Sequence, residues 1–418
     1  MKKMRLSLWC IWLCVALLVS MTGCAAVQAE DLMEGITPQP VTAAKHLLDG
    51  AYNARVADFA VRLFRAAGKG DNPLVSPLSV LCALGMTANG AKGETRVQME
   101  QALGLSADEL NTYLYAYLSS LDEEGMGSLF PANSVWLTAD DRLTVEKDFL
   151  QTNADYYGAD AYKAPFNEQT RQDINGWVED KTHGMIPQML EDMDPNAVMV
   201  LVNALAFEAA WSEPYTETQV RSGTFYGADG QERTVDFMYG NESAYIEDEN
   251  AIGFLKPYAG GRYAFAALLP RENEMTLEAY METLDGAALH AMLSGRTWRS
   301  VQTAVPRMNI TWGTDMAAVL AAMGMPLAFD ETKADFTGLG RSTAGNIFIN
   351  RVLHKTSITV GEKGTKAGAA TAVEMADKMA ADPYENVQVY LTRPFVYMLV
   401  DTTTCTPLFI GAMHQPAD

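Results

Sequence analysis

Apolar side chains recur at spacings of three and four through residues 51–67 (AYNARVADFAVRLFRAA), the repeat of a helix with one face turned inward. Residues 76–88 read as a second helix, opened by Ser76-Pro77: a capping side chain, then the residue pre-set for a first turn. A third is expected in RVQMEQALG, residues 96–104, ending at Gly104, and a fourth over 173–184 (DINGWVEDKTHG), ending at Gly184. Later the pattern changes. Residues 198–207 (VMVLVNALAF) form a continuous apolar run, as in a strand covered on both faces. Further strands are expected at 262–269, 347–352, 357–360 and 395–400. Helices first and strands after, without strict alternation, predict a mixed α+β fold with more than one sheet. No repeat, linker or composition break interrupts residues 51–418, which read as one large domain.

The N-terminus reads as an address. Lys2, Lys3 and Arg5 precede the apolar run of residues 6–21, the layout of a secretory signal. The run ends in Met21-Thr22-Gly23-Cys24, which resembles a bacterial lipobox, where the Cys24 sulfur would be lipidated. The alternative is ordinary cleavage after Val27-Gln28-Ala29, a small-x-small site. The expected layout is a signal over 1–23, a polar tether over 24–50 and a folded domain beyond. The product is exported, either as a cell-surface lipoprotein or secreted.

Charge and cysteine content narrow the function. Asp and Glu number 52 against 31 Lys and Arg, a formal net charge of −21 at pH 7 that repels phosphate backbones and argues against nucleic acid as a partner. Beyond the signal only Cys24, Cys82 and Cys405 remain, at no metal-ligand spacing; a Cys82–Cys405 bridge stays open. His46, His183, His290, His354 and His414 are scattered, and no HExxH, GxSxG or GxxxxGK[ST] motif occurs. No catalytic constellation, metal or cofactor is expected.

Residues 362–382 (EKGTKAGAATAVEMADKMAAD) carry a sharper signal. Composition alone favours a marginal helix or an exposed loop. Read with period two, Thr365, Ala367, Ala369, Thr371, Val373 and Met375 form one uncharged, mostly small face. Lys366, Gly368, Ala370, Ala372, Glu374 and Ala376 form the other, which holds both charges. One dry face and one wet face is the pattern of a strand covered on one side.

This segment resembles the hinge of the serpins, EEGTEAAAATA, and follows a His354-Lys355 pair similar to that family's HKA motif. Other blocks agree in order: NPLVSPLS at 72–79, GAKGET at 90–95, INGWVEDKTHGMI at 174–186, LVNALAFEAAW at 201–211, ADFTGL at 334–339 and RPFVYML at 393–399. The resemblance covers about residues 50 to 416. It implies a serpin fold of three β-sheets and eight to nine helices, with an exposed reactive-centre loop at about 362–390. It also implies a suicide inhibitor of an extracellular serine protease, monomeric and free of cofactors, which traps its target when the cleaved loop enters the central sheet.

By the same resemblance the hinge is Glu362, Gly364, Thr365, Lys366, Ala367, Gly368, Ala369, Ala370 and Thr371. Ser76, Ser79, Asn203 and His354 match the shutter under the opening sheet. Trp211 matches the breach at its top, and Arg307 the basic partner of Glu362. Loop length places the reactive bond at Lys378-Met379, which fits a trypsin-like target. A longer return segment leaves Met375 or Met379 as alternatives, with an elastase- or chymotrypsin-like target. A non-inhibitory binding module and inhibition of a cysteine protease are the competing readings; the small, uncharged hinge face disfavours the first.

Overall fold

The computed structural model describes residues 27–42, 48–68, 72–123, 129–271, 275–365 and 386–416. Among them are nine α-helices. These are α1 (Gly50–Ala67), α2 (Pro77–Ala88), α3 (Gly93–Leu103), α4 (Ala107–Glu123), α5 (Lys147–Tyr157), α6 (Glu168–Lys181), α7 (Leu277–Thr283), α8 (Gly286–Ser294) and α9 (Ala317–Ala322). The helix starts are chemical. The Asp49 side chain accepts from the Ala51 and Tyr52 amides, and Ser76 accepts from Ser79. Helix α3 ends at Gly104 in the left-handed conformation. Helix α6 begins a turn before the expected Asp173, because Asn167 and Thr170 cap each other reciprocally; it ends at Lys181, with Thr182 as its C-cap rather than Gly184.

Three sheets organise the rest. The first runs β1 (Glu30–Asp31), β5 (Asp160–Ala164), β3 (Leu129–Thr138), β6 (Met199–Phe207), β15 (Arg351–Gly361), β16 (Gly364–Thr365) and β7 (Ala209–Ala210), with β13 (Met308–Asp315) also on β15. The second runs β17 (Val387–Tyr390), β12 (Thr297–Pro306), β9 (Glu232–Glu247), β10 (Ala251–Pro257), β11 (Tyr263–Pro270), β18 (Phe395–Asp401), β19 (Thr406–Met413) and β2 (Leu74–Val75), with β8 (Val220–Tyr226) on β9. A small third sheet pairs β4 (Leu143–Val145) with β14 (Gly340–Ser342).

Strand β6 is buried throughout because its two faces serve two cores. Met199, Leu201, Leu205 and Phe207 join the main core, while Val200, Val202 and Ala204 pack with Trp136, Tyr162 and Trp177 beneath α6. The two strands expected at 347–352 and 357–360 are one. Asn350 ties the start of this strand to β6: its side chain accepts from the Val198 and Met199 amides, its own amide donates to the Met199 carbonyl, and the ladder runs on from Arg351.

The stretch expected as a tether is docked over residues 27–42. Val27 and Ala29 pack on the second core, and the Gln28 amide donates to Asp173 Oδ2 at 3.1 Å. Strand β1 pairs along β5, and the Gln39 amide reaches Asp155 Oδ1 at 2.6 Å. Without β1, β5 would present an open sheet edge.

Candidate functional site

At the top of the first sheet the chain leaves β15, turns through Glu362-Lys363 and re-enters as β16. Thr365 sits opposite Val360 on one side and Ala209 on the other. The turn requires glycine at 364: φ is +148°, and a Cβ there would meet the Ala209 carbonyl oxygen at 2.1 Å. Thr365, expected in an exposed hinge, is fully buried, its hydroxyl 2.5 Å from that of Tyr258. Burial keeps the Tyr258 phenol protonated by pushing its pKa far above the ordinary value.

Trp211 closes this junction. Its indole stacks on Tyr258 at 4.2 Å and donates to the Gly361 carbonyl at 2.8 Å, while its amide donates to the Lys363 carbonyl at 2.9 Å. The Tyr215 amide adds a bond to the Glu362 carbonyl at 2.9 Å. Arg307 bridges Glu362 and Asp236, the latter at 2.9 Å. Partial burial opposes ionisation of Glu362, but its backbone hydrogen bond and the Arg307 guanidinium outweigh this and lower its pKa. With side chains 48% and 30% exposed, the Arg307–Glu362 pair contributes under about 1 kcal/mol. It orients the turn more than it stabilises the fold.

Lower in the same sheet a buried polar row crosses three strands. Asn133 on β3 lies opposite Asn203 on β6, which lies opposite His354 on β15. The Ser76 amide donates to His354 Nε2 at 3.1 Å, so the ring proton is on Nδ1 and donates to Asn203 Oδ1 at 2.7 Å. Asn203 Nδ2 donates to the Ser79 carbonyl and, at 3.1 Å, to Asn133 Oδ1. Burial lowers the His354 pKa to about 3, so the ring is neutral. The structure thus brings Ser76, Ser79, Asn203 and His354 into one cluster. Ser79 joins through its backbone, since its hydroxyl has no partner among the described residues.

Between row and junction the sheet is half open. Strands β6 and β15 pair in parallel from Val200–Arg351 to Leu205–Thr356 and part above that point. Trp211, Arg307, Glu362, Gly364 and Thr365 surround the top of this opening, and His354 and Asn203 lock its lower part. Lys366, Ala367, Gly368, Ala369, Ala370, Thr371, Lys378, Met379 and Cys24 lie outside the described residues. Asn133, Tyr258 and Asp236 belong to the site but escaped sequence reasoning. Asn133, a polar residue in a strand, was the one visible signal.

Cys82 and Cys405 are free, so no bridge joins them, and burial pushes the Cys82 thiol up to about 12. Among the described residues no three His, Cys, Asp or Glu side chains gather as metal ligands would.

Comparison with known proteins points one way. A profile described as Serpin (serine protease inhibitor) matches residues 54–416. The crystal structure of tengpin, a thermophilic serpin, is 42% identical in its native state, covering 93% of this chain and all of that one, with a TM-score of 0.87. Tengpin's latent state superposes less well, at 0.76 with 40% identity, covering 91% of this chain and all of that one. Serpin B8 of Homo sapiens is 32% identical over 86% of this chain and 97% of its own length. The leukocyte elastase inhibitor of Equus caballus is 29% identical over the same shares. The chain belongs to the serpin family, which includes inhibitory relatives of this kind.

Proposed function

We propose that this serpin is a suicide inhibitor of an extracellular trypsin-like protease, with Lys378-Met379 as the reactive bond. The observation that carries the reading is Thr365, seated between β15 and β7 with the period-two segment running on from it. Continuing that antiparallel register sets Lys366 against Thr359 and Glu208, and Gly368 against Ser357 and Ala206, in the part of the sheet already open. Ala369 would meet the first closed pair, Thr356–Leu205, and Thr371 would fall between Asn203 and His354. The residues sharing the inward face with Thr365 are Ala367, Ala369, Thr371, Val373 and Met375, none charged. A strand can therefore enter without burying an unpaired charge, which costs several kcal/mol.

In the trapping step the protease serine oxygen attacks the Lys378 carbonyl and the peptide bond to Met379 breaks. The Met379 amine leaves with a proton, and an ester joins the protease to Lys378. Insertion up to the polar row then replaces the His354–Asn203 bond by bonds to the new strand. It carries the ester away before water reaches it. Each gained backbone hydrogen bond contributes about 1 kcal/mol net, so the strand as a whole can drive the movement. The nearer match to native-state than to latent-state tengpin agrees with β6 and β15 pairing directly over Val200–Leu205, with no strand between them there.

The export signal and a lipid on Cys24 complete the reading. Cleavage after Ala29 would discard Val27, Gln28 and Ala29, which pack against the second core and Asp173. Cleavage before Cys24 keeps them. It leaves only residues 25 and 26 between lipid and docked chain, a reach of about 10 Å.

Mixing the mature protein with trypsin tests the inhibitor directly. A band at the summed mass, stable to denaturant, and a released fragment beginning at Met379 are expected. Fragments beginning at Ala376 or Ala380 would move the bond to the alternatives. Clean cleavage without adduct by trypsin, elastase and chymotrypsin alike would overturn the proposal.

A further inference from the structure

Behind the Trp211–Tyr215 segment lies an ion pair that the trapping mechanism does not use. Lys256 on β10 and Glu242 on β9 are 4% and 7% exposed and meet at 3.0 Å. The pair has a direction. The Lys256 ammonium lies 5.3 Å from the centre of the Trp211 ring and 4.3 Å from that of Tyr215, and donates to the Glu213 carbonyl at 3.1 Å. It thus holds the segment at both ends and in the middle. That segment makes the three hydrogen bonds to the turn: Trp211 Nε1 to Gly361, the Trp211 amide to Lys363 and the Tyr215 amide to Glu362. A cation removed from water against two aromatic faces is held more firmly than one at the surface. A buried pair of this kind does little for overall stability compared with apolar packing, so its value lies in fixing geometry.

We infer that Lys256 is a positioning residue for the reactive-loop hinge. Paired with Glu242, it grips the Trp211–Tyr215 segment from behind and so fixes the hydrogen bonds that seat Gly361–Thr365 in the sheet. The inference deepens the inhibitor reading and rests on it for its functional consequence. Its structural content stands apart, because the seated turn exists without any protease.

The test is amide hydrogen exchange on the full mature protein, followed by titration with trypsin. In Lys256→Met the amides of residues 209–215 and 360–365 are expected to exchange about tenfold faster, equivalent to about 1.4 kcal/mol, while β18 keeps its wild-type protection. Lys256→Arg, which retains charge and ring contacts, should restore slow exchange. The inhibitor consumed per protease trapped should rise several-fold in Lys256→Met and return toward wild type in Lys256→Arg. If Lys256→Met folds poorly because Glu242 is left unpaired, Lys256→Met with Glu242→Gln removes that charge and should show the same local loosening. Faster exchange throughout, β18 included, would reduce Lys256 to a general stabiliser and overturn the inference. So would unchanged exchange at 209–215, an arginine variant that behaves like methionine, or loosening that leaves trapping unaltered. If the wild-type protein traps no protease, the inhibitor reading falls, while the exchange pattern still decides what Lys256 positions.

Discussion

Replacing Thr365 by Arg confronts the insertion step with a group the sheet has no room for. The Thr365 side chain is fully buried, and its hydroxyl meets Tyr258 at 2.5 Å. Tyr258 is itself held by Trp211 stacked at 4.2 Å and by Phe207 edge-on at 5.1 Å. The side chains set around the Thr365 hydroxyl are aromatic: Tyr258, with Trp211 and Phe207 packed on it. The substitution loses a hydrogen bond of about 1 kcal/mol and adds about 3 kcal/mol or more for an unpaired buried charge. This drives the turn out of its seat before any protease is met, so the cost falls on the insertion that must bury it again, which slows about a thousandfold. Inhibitor consumed per protease trapped equals one plus the ratio of deacylation to insertion rates. Deacylation is set by the protease and stays as it was. A wild-type deacylation-to-insertion ratio of about 0.1 therefore becomes about 100, and the variant is cleaved as a substrate. Residual trypsin activity titrated against inhibitor, with denaturing gels beside it, reads this ratio. Thr365→Ser keeps a short hydroxyl and should trap as wild type does. Undiminished adduct with Thr365→Arg would refute the argument that the inward face must be neutral and small.

Two further outcomes follow from the structure. His354 is a base whose folded pKa is depressed, to about 3, against an unfolded value of about 6.5, so the unfolded chain alone binds the proton between them. Its contribution is complete above about pH 6.5 and falls by about 1.4 kcal/mol per unit as pH drops towards 3. Urea unfolding at pH 7, 6 and 5 should show this loss, and stability that stays flat over that range would contradict a neutral buried ring. Cys24→Ala should shift the protein from the membrane fraction of its host to the soluble fraction; a wild-type protein already soluble and beginning at Glu30 would refute the lipid anchor.

Much of the site was legible because its constraints are local. The uncharged alternation that begins at Thr365 is a property of one short stretch of sequence, and Thr365 itself is seated in the sheet. Helix α1 and the apolar run of β6 were equally plain, since amphipathic spacing and continuous burial are properties of one segment. The hairpin β8–β9 and the consecutive strands β12 and β13, which belong to different sheets, were missed. Exposed charges such as Arg221, Glu232 and Arg299 break the alternation in these strands.

The sequence by itself determined the mixed α+β class, the first helices, the uncharged alternating face that begins at Thr365, and Ser76, Ser79, Asn203 and His354 of the polar cluster. Only the tertiary structure decided that Thr365 already occupies the sheet, and that β6 and β15 close just below it. It also decided that Asn133 completes the row and that Lys256 stands behind Trp211. These depend on register between strands separated by up to about 150 residues and on which side chains lose water together. Both are set by packing of the whole chain rather than by the preferences of any stretch of it.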